Sequence, residues 1–474
     1  MLETAIIGGG VSGLALARHL SRRAQPFTLF EARPRLGGRI LSVASPLTGA
    51  MLDLGPAWFW PRTQPLMTRL VAELGLASVE QNDAGPVLHL READKTPDRI
   101  EDQKLHDGAR RLKDGLAALV EALASALPAD SICHGHELKA VRAEGDHLVL
   151  TFAVAGRPME VEARRAILTL PPRLMAERIE FSPALDADTL EAMGATATWM
   201  AAQAKVAIAY ERAPWRDTGL SGNAFVTHEQ AVVGEIYDAC GEGGRPAALA
   251  GFLAFPPDTR TAFKAGLPML LSSQMVQVFG SDVEVGEQHY QDWAEEPFTC
   301  SLRDLREPAT EHVAVSTPLL RRPLMDGMLY FGGSETASAA AGYLEGALDA
   351  ARRVDRTLAL GRAGEAAAPS IAPGLAGGAL NEASLAAFSA WVAAQSEPVF
   401  DGYRVRLTQM LAAQQRDQLT QWAALGEMED LFHKALGRLE DLAFDLDGVP
   451  VEAGRCALTP AVQAPFRDLL QRFM

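Results

Sequence analysis

The sequence has few cysteines and no long apolar run. Its four cysteines, Cys133, Cys240, Cys300 and Cys456, are scattered and form no CxxC pair. This spacing matches neither a disulfide framework nor a cysteine metal site, and it fits a reducing compartment. No stretch reaches about 18 uninterrupted apolar residues, the length that a membrane-spanning helix needs. The first residues lack a signal-peptide pattern, so we expect a cytoplasmic protein.

Basic residues are scarce relative to acidic ones. The chain carries 44 Lys and Arg against 60 Asp and Glu, a net charge of −16. A surface of this sign repels nucleic-acid phosphates and anionic lipids, so neither is an expected partner, and it could mildly attract cationic substrates. The simpler interpretation is that the charge keeps the protein in solution. The ten histidines show no metal-ligand spacing, and no metal is expected.

The 474 residues are enough for two or three domains. Residues 1–31 alternate as strand, glycine turn, helix and strand, and residues 80–108 are polar and irregular. Residues 362–382 are rich in Ala, Gly and Pro, which is typical of a linker, and residues 383–443 have a helical pattern. Further strands are predicted at 137–142, 147–153, 159–169, 206–210, 247–255 and 328–331, and helices at 66–76, 111–127, 267–279 and 342–360.

A glycine motif, Gly8-x-Gly10-x-x-Gly13, follows the first strand and opens the first helix. The second glycine lets a pyrophosphate approach backbone amides at the helix N-terminus, and the third lets helix and strand pack closely. Glu31 lies eighteen residues after Gly13, at the end of the next strand, where its carboxylate can accept hydrogen bonds from an adenosine ribose. The pattern therefore predicts a dinucleotide site. Arg39, after two further glycines, can pair with a phosphate.

Several segments together resemble one family, the flavin-containing amine oxidases of the monoamine and polyamine oxidase group. Beside the glycine motif, they are residues 36–39 (LGGR), 52–58 (LDLGPAW), 111–116 (RLKDGL), 166–172 (AILTLPP), 329–336 (LYFGGSET) and 342–347 (GYLEGA). The resemblance covers about residues 1–360 and implies FAD as cofactor.

The fold that this resemblance implies is α/β. It has a Rossmann-like FAD-binding domain built from discontinuous segments, a mixed-sheet substrate domain and, outside the resemblance, a helical C-terminal appendage. We expect the FAD-binding domain in residues 1–75, 110–185 and 322–361, the substrate domain in 76–109 and 186–321, the linker in 362–382 and the helical C-terminal region in 383–474.

The resemblance also implies the residues that contact FAD. Glu335 is expected at the ribityl chain. The helix that begins near Tyr343 is expected to aim its amides at the N1–C2=O edge of the flavin, where negative charge gathers on reduction. The predicted contacts are Gly8, Gly10, Ser12, Gly13, Glu31, Ala32, Arg33, Gly38, Arg39, Gly55, Pro56, Ala57, Trp58, Leu138, Trp293, Gly333, Ser334, Glu335, Gly342, Tyr343 and Leu344.

The chemistry that the family implies is oxidation of an amine. A neutral amine loses hydride to the flavin, the imine hydrolyses, and dioxygen reoxidises the flavin to give hydrogen peroxide. Lys205 lies at the position of the family lysine that holds a water near flavin N5. Tyr343 matches one wall of an aromatic cage for the substrate amine, and Trp293 resembles a tryptophan near the ring. The plainer alternatives are a lysine that faces solvent and packed core aromatics.

The chain departs from the family pattern in three places. Arg303 stands where a second cage aromatic is expected, and a cation there would repel a protonated amine or bind the carboxylate of an amino-acid-like substrate. Leu302 stands where some members carry a flavin-linked cysteine, so we expect non-covalent FAD, although a shifted alignment would bring Cys300 there. The segment between Leu76 and Arg111 is short, which predicts a more open active site.

Some alternatives stay open on the sequence. The helical region at 383–443 could close the active site, within one chain or from the partner in a homodimer, or it could serve only for docking or oligomerisation. An FAD-dependent desaturase or other tailoring oxidoreductase on a natural product is one rival function. A non-catalytic flavin-binding assembly subunit is another.

Overall fold

The computed structural model describes residues 1–309, 317–366 and 376–412, together with scattered positions between 427 and 469. The chain divides into two compact units, Met1–Arg362 and Ala363–Met474. Buried apolar clusters lie within each unit, and the one in the second unit centres on Phe388, Val392 and Val399. None of the helices in the described ranges is long and apolar enough to cross a membrane.

The strands of the first unit form two large sheets and two short two-stranded sheets. In chain order they are β1 (Leu2–Ile7), β2 (Thr28–Glu31), β3 (Ser42–Ala44), β4 (Met51–Asp53), β5 (Ser78–Glu80), β6 (Val87–Leu90), β7 (Asp98–Ile100), β8 (Arg110–Leu112), β9 (Ile132–His134), β10 (His136–Glu144), β11 (His147–Val154), β12 (Arg157–Leu168), β13 (Glu180–Ser182), β14 (Ala204–Tyr210), β15 (Ala224–Val226), β16 (Val233–Asp238), β17 (Ala247–Leu253), β18 (Glu287–Asp292) and β19 (Leu329–Phe331).

Helices fill the connections between these strands, and two more belong to the second unit. In chain order they are α1 (Val11–Arg22), α2 (Pro65–Glu73), α3 (Ala117–Ser125), α4 (Pro172–Arg178), α5 (Ala187–Ala195), α6 (Pro214–Asp217), α7 (Pro257–Phe263), α8 (Leu267–Phe279), α9 (Leu302–Arg306), α10 (Leu344–Ala366), α11 (Ala376–Ala393) and α12 (Ser396–Ala412). A short pair of strands, β20 (Val451–Glu452) and β21 (Arg455–Cys456), also lies in the second unit.

The eight-stranded sheet contains a parallel core. Its order is β13-β10-β11-β12-β1-β2-β9, with β19 also paired to β12. The strands β9, β2, β1, β19 and the last part of β12 run parallel, so their carboxyl ends lie at one edge. The first strand is buried on both faces, as its continuous apolar run predicts for a parallel strand. Ligands of open parallel sheets bind beyond this edge, which is where the glycine motif follows β1.

The seven-stranded sheet has the order β18-β14-β17-β16-β15-β6-β7. One face packs on α8, and the other lies against residues 50–57. Across its centre, Lys205 of β14 pairs with Phe252 of β17, which pairs with Glu235 of β16. Directly paired residues project from the same face of a sheet, so these three side chains form one row.

Most sequence-predicted elements of the first unit are confirmed, from the first strand to the helix at 267–279. Two predictions are wrong. Residues 110–112 form β8, and the helix that was expected from residue 111 begins only at Ala117. Residues 80–108, expected to be irregular, contain β6 and β7, which extend the seven-stranded sheet. Strands this short carry too little periodicity to be recognised, and their tertiary partners fix them.

The predicted linker and C-terminal region are described only in part. Helix α10 continues to Ala366 and α11 begins at Ala376, so helices occupy both ends of the expected linker. Residues 367–375 between them lie outside the described residues. Helices α11 and α12 confirm the helical pattern up to residue 412, and most of the prediction beyond that point also falls outside the described residues.

Candidate active site

A cavity of about 590 Å³ lies between the parallel edge of the first sheet and the Lys205 row of the second. It brings together most of the residues that the sequence predicts as a site. Those among its lining residues are Gly8, Gly10, Ser12, Glu31, Arg33, Gly38, Arg39, Gly55, Pro56, Ala57, Trp58, Lys205, Trp293, Ser334, Glu335, Gly342, Tyr343 and Leu344.

The glycine turn has the geometry that a bound phosphate requires. A Cβ at Gly13 would lie 2.0 Å from the Gly8 carbonyl oxygen, so helix α1 and strand β1 touch there. A Cβ at Gly10 would meet nothing within 4 Å, because this residue faces the cavity at the N-terminus of α1. The turn therefore leaves open the space in which a phosphate would approach the helix amides.

Glu31 is held in place at the end of β2. One carboxylate oxygen accepts from the Gly9 backbone N–H at 2.7 Å, and the other accepts from the Arg33 backbone N–H at 2.9 Å. The side chain is buried and lines the cavity. Two amides thus fix the carboxylate at the place where a ribose would present its hydroxyl donors.

The amino- and carboxyl-terminal motifs of the first unit meet at the cavity. The Ser12 hydroxyl donates to the Gly332 carbonyl. Arg39 lies 2.6 Å from a Glu335 carboxylate oxygen and donates to the Ser334 hydroxyl at 2.8 Å. The turn after β1, the turn at 37–39 and the segment after β19 therefore surround one ligand site.

Lys205 is enclosed in the sheet and reaches the cavity. It is 2% exposed, and its Nζ donates to the Gly55 carbonyl at 2.7 Å. Aromatic ring centroids lie 5.3–5.9 Å from Nζ and belong to Trp58, Tyr237 and Phe252. Burial lowers the pKa of Lys205 to about 7, only partly opposed by the charge of Asp53. The ammonium is thus readily deprotonated near neutral pH.

Two aromatic side chains stand side by side on another wall. The rings of Tyr343 and Trp199 lie 6.2 Å apart between centroids, and both line the cavity. Trp199 packs on Gly342, where an added Cβ would come within 2.7 Å of it. Trp293 lines the cavity too and donates from Nε1 to the Leu54 carbonyl at 2.9 Å. These side chains give the cavity an aromatic wall.

A polar cluster backs the wall formed by Trp58. The Trp58 ring packs on His106 with 4.6 Å between centroids, and its Nε1 donates to Gln81 at 2.9 Å. His106 pairs with Asp83, 3.3 Å from Nδ1, and its Nε2 lies 3.7 Å from a Glu235 carboxylate oxygen. Burial disfavours the charged imidazole, but the hydrogen bonds and charges of Asp83 and Glu235 outweigh it and raise the pKa of His106.

Five predicted residues do not line the cavity. Gly13, Ala32 and Gly333 flank lining residues, while Leu138 is packed in the core of the first sheet. The structure does not bring Arg303 to the cavity. Its side chain on α9 is 50% exposed and pairs with Glu307 at 2.9 Å, one helical turn further on. A one-turn spacing on a short surface helix favours this local pair.

Sequence reasoning missed Trp199, Phe252 and Glu235, all of which line the cavity. Trp199 lies in a turn between α5 and β14 and carried no recognisable pattern. Glu235 did carry one, because it is a charged residue inside the apolar strand β16, the same signal that singles out Lys205. Phe252 is recognisable only once the register of β17 is known.

The site residues fit the FAD that the sequence predicts. The open side of Gly10, the preset carboxylate of Glu31 and the polar group of Arg39, Ser334 and Glu335 line a single cavity. Each supplies a type of contact that a dinucleotide uses: amides for phosphate and carboxylates for hydroxyl groups. In the described ranges no group of three or more His, Cys, Asp or Glu could hold a metal ion.

Comparison with known proteins gives one family. The model of the flavin containing amine oxidoreductases matches residues 11–96 and 83–356. The flavin-containing amine oxidase B of Sus scrofa is 23% identical over 456 residues, covering 75% of this chain and 86% of that enzyme. The putrescine oxidase of Kocuria rosea is 30% identical over 166 residues, covering 34% of this chain and 33% of that enzyme.

Solved structures share the fold. Wild-type putrescine oxidase bound to putrescine superposes with a TM-score of 0.61 at 19% identity, covering 76% of this chain and 99% of that chain. Cyclohexylamine oxidase from Brevibacterium oxydans gives a TM-score of 0.62 at 17% identity, with the same coverage of 76% and 99%.

Proposed function

Because the chain belongs to the flavin-containing amine oxidoreductase family, an FAD-dependent family of amine-oxidising enzymes, we propose that it oxidises an amine with dioxygen as acceptor, giving an imine and hydrogen peroxide. The observation that carries the proposal is Lys205. A lysine with a pKa of about 7, held on the Gly55 carbonyl at the cavity, is costly to bury, and strongly shifted groups of this kind concentrate at functional sites.

The binding part of the proposal assigns FAD to the glycine turn and its partners. When bound, FAD supplies the two-electron acceptor for the substrate hydride. The amides at the start of α1 and Arg39 hold the pyrophosphate, Glu31 holds the adenosine ribose and Glu335 holds the ribityl chain. The amides at the start of α10 carry the positive end of a helix dipole, which favours negative charge near them.

The catalytic part of the proposal concerns a neutral amine and a water. Lys205 holds a water by its Nζ and takes up or releases a proton near neutral pH. Tyr343 and Trp199 keep the substrate amine against an aromatic surface and exclude bulk water, which favours the uncharged amine that must lose hydride.

The substrate we propose is an amine rather than an amino acid. The cations among the lining residues are Arg33, Arg39 and Lys205. Arg39 is paired with Glu335, and Arg33 lies 3.3 Å from Glu296 and donates to Thr299. Arg303, which could have bound a substrate carboxylate, is on the surface. The amines in the names of the similar enzymes, putrescine and cyclohexylamine, agree with this choice.

We also propose that the FAD is not covalently linked through Cys300. This thiol is buried, is not one of the residues that line the cavity, and lies against the Ser301 carbonyl. Burial first, then nearby carboxylates, raise the pKa of Cys300 to about 12. A thiol kept protonated is a poor nucleophile for attack on a flavin.

The test is reduction of the bound flavin by amines. The purified protein should be yellow, release FAD on acid treatment, bleach anaerobically with a simple amine and form peroxide when air is admitted. Amino acids serve as the matched comparison and should bleach it more slowly. An FAD-loaded protein that no amine reduces would contradict the proposal, and preferential bleaching by amino acids would contradict the choice of substrate.

A further inference from the structure

A second cavity, of about 530 Å³, lies along the same face of the seven-stranded sheet as the first. Strand side chains two residues apart project from one face, and such residues are about 7 Å apart along the strand. The Lys205 row lines the first cavity, and the next row, the directly paired Ala207, Ala250 and Tyr237, lines the second. The two small alanines leave open the space that larger side chains fill one row away.

The charged side chains around the second cavity balance one another. Among its described lining residues there are three cations and three acids: Arg111, Lys113, Arg245, Asp53, Asp114 and Glu242. Four of them are exposed to water, and only Arg111 and Asp53, one of each sign, are half-buried. A ligand that carries separate charges of both signs suits this lining better than a simple anion or a simple cation.

Arg111 has donors to spare. One terminal nitrogen donates to the Ala239 carbonyl at 3.1 Å and the other donates to the Cys240 carbonyl, so the guanidinium is fixed in the cavity wall. Its Nε is buried, and no described residue accepts a hydrogen bond from it. A buried N–H without an acceptor is costly, and a guanidinium edge can bind a carboxylate through two parallel hydrogen bonds. The Arg111 side chain therefore suits a ligand carboxylate.

Asp53 is the complementary acid. Its Oδ1 accepts from the Ser42 hydroxyl at 2.5 Å and from the Leu116 backbone N–H at 2.9 Å, while its Oδ2 accepts from none of the residues that the structure describes. Burial raises the pKa of Asp53, and the two hydrogen bonds oppose that effect only in part. An ammonium group bound at Oδ2 would replace the hydration that this carboxylate has lost.

These two charges lack counter-ions. Within the described ranges neither Arg111 nor Asp53 forms a salt bridge, although Arg110 and Lys113, on either side of Arg111, both do. A partly buried charge without a counter-ion destabilises the fold. A ligand that brings a carboxylate to Arg111 and an ammonium to Asp53 supplies both counter-ions at once.

We propose that the second cavity is a binding site for a free amino acid in its zwitterionic form, with the carboxylate on Arg111 and the ammonium on Asp53. This site is separate from the cavity in which we place amine oxidation, and its occupant is a ligand and not a substrate. The alanine row gives an aliphatic side chain an apolar surface. After burial, the pKa of Lys205 responds to Asp53, which raises it, and to Arg111, which lowers it. The amino acid thus binds the two charges that act on Lys205.

Calorimetric titration of the FAD-loaded protein without oxygen tests the site, with L-leucine as the probe. The matched analogues are 4-methylpentanoate, which is leucine without its ammonium, and L-leucinamide, which lacks the carboxylate. We expect leucine to bind at one site per chain and each analogue to bind at least about tenfold more weakly, the loss that one charge-assisted hydrogen bond produces. Because an amine can also enter the first cavity, only binding that the variants below weaken is assigned to the second.

Two variants locate the binding. Arg111→Gln should weaken leucine binding at least about tenfold, and so should Asp53→Asn, which keeps the size of the side chain. Arg110→Gln is the matched control, because it removes the neighbouring cation, which donates to Ser78 and lines neither cavity, and it should leave leucine binding unchanged. Flavin content and melting temperature report whether each variant is folded. If Arg111→Gln does not fold, Asp53→Asn carries the test.

A titration in which leucine does not bind overturns the site. Leucine binding that the folded variants at Arg111 and Asp53 leave unchanged overturns it as well, because the ligand then lies elsewhere. If either analogue binds this cavity as tightly as leucine, the zwitterion is the wrong ligand class. None of these outcomes bears on amine oxidation, which bleaching of the flavin tests separately.

Discussion

At the scale of single residues, the burial of Lys205 is the feature with the largest energetic consequence. Its Nζ is surrounded by three aromatic rings and one carbonyl, and its pKa falls from 10.5 to about 7. The charges of Asp53 and Glu235 oppose the effect of burial on this pKa only in part. A side chain that destabilises the fold in this way is expected to be kept for its chemistry.

Replacing Lys205 by Met should separate chemistry from cofactor binding. Methionine fills a similar volume and removes the group that we assign to holding a water. We expect flavin reoxidation by dioxygen to slow by at least about tenfold, the low end for loss of an acid–base group, with FAD content unchanged. Stopped-flow mixing of the reduced enzyme with oxygenated buffer measures this. Unaltered oxygen kinetics would refute the role given to Lys205.

The same side chain predicts a pH dependence of stability. Between about pH 7 and pH 10.5 the unfolded chain binds the Lys205 proton and the folded chain does not, so folding stability contributed by this site rises with pH across that window. The cost of burying the charge, on the order of a few kcal/mol, is therefore fully present below pH 7. The melting-temperature advantage of Lys205→Met over the wild type should shrink from pH 6.5 to pH 9.5. A constant difference would contradict the depressed pKa.

At the scale of elements, the turn between β1 and α1 assigns different tasks to neighbouring glycines. Gly13 is required by packing, because its Cβ position lies 2.0 Å from the Gly8 carbonyl. Gly10 is not required by packing, since nothing lies within 4 Å of its Cβ position. The two positions thus separate the needs of the fold from those of the ligand.

Two matched substitutions test that division. Gly10→Val should fold with a normal circular dichroism spectrum and yet retain little FAD, because the side chain would occupy the phosphate space. Gly13→Val should lower the yield of folded protein, since α1 and β1 cannot separate without breaking the sheet core. Flavin absorbance per folded protein measures the first effect and thermal unfolding the second. A yellow Gly10→Val protein would show that phosphate binds elsewhere.

Sequence patterns predicted those parts of the site that depend on local geometry. The glycine turn and Glu31 could be predicted because a strand, a turn, a helix and a second strand follow one another at the start of the chain. The signature around Glu335 could be predicted because its residues are contiguous in the sequence. Trp199, Phe252 and Glu235 depend on how β14, β16 and β17 pair, which no local pattern encodes. Arg303 was expected at the substrate site from its place in the sequence pattern alone. In the structure its side chain lies at the surface on α9 and pairs with Glu307.

At the scale of the whole molecule, the described part of the site lies in the first unit. Among the residues that the structure describes, those lining the cavity all precede residue 348, and both large sheets are complete by β19. The second unit has its own buried cluster around Phe388. Closure of the active site and docking are the two roles that the sequence suggests for it.

A shortened chain that ends after residue 366, and so keeps α10 whole, distinguishes the two roles. We expect it to fold and to bind FAD with the spectrum of the full chain. An appendage used only for docking predicts unchanged KM for amines and a changed elution volume in gel filtration. A closing element predicts a raised KM and faster decay of the reduced flavin in air. A shortened chain without flavin would show that the first unit is not self-sufficient.

The Ser12–Gly332 hydrogen bond joins residues 320 positions apart, where the amino- and carboxyl-terminal motifs of the first unit meet beside the cofactor cavity. During synthesis the glycine turn leaves the ribosome long before β19 and the start of α10 exist. At about 5–20 residues per second, that interval is tens of seconds. The nascent polypeptide must therefore wait as an incomplete apoprotein, and cofactor loading becomes one of the last steps of its maturation. Flavin supply in the cell would then set how much of the newly made chain escapes proteolysis.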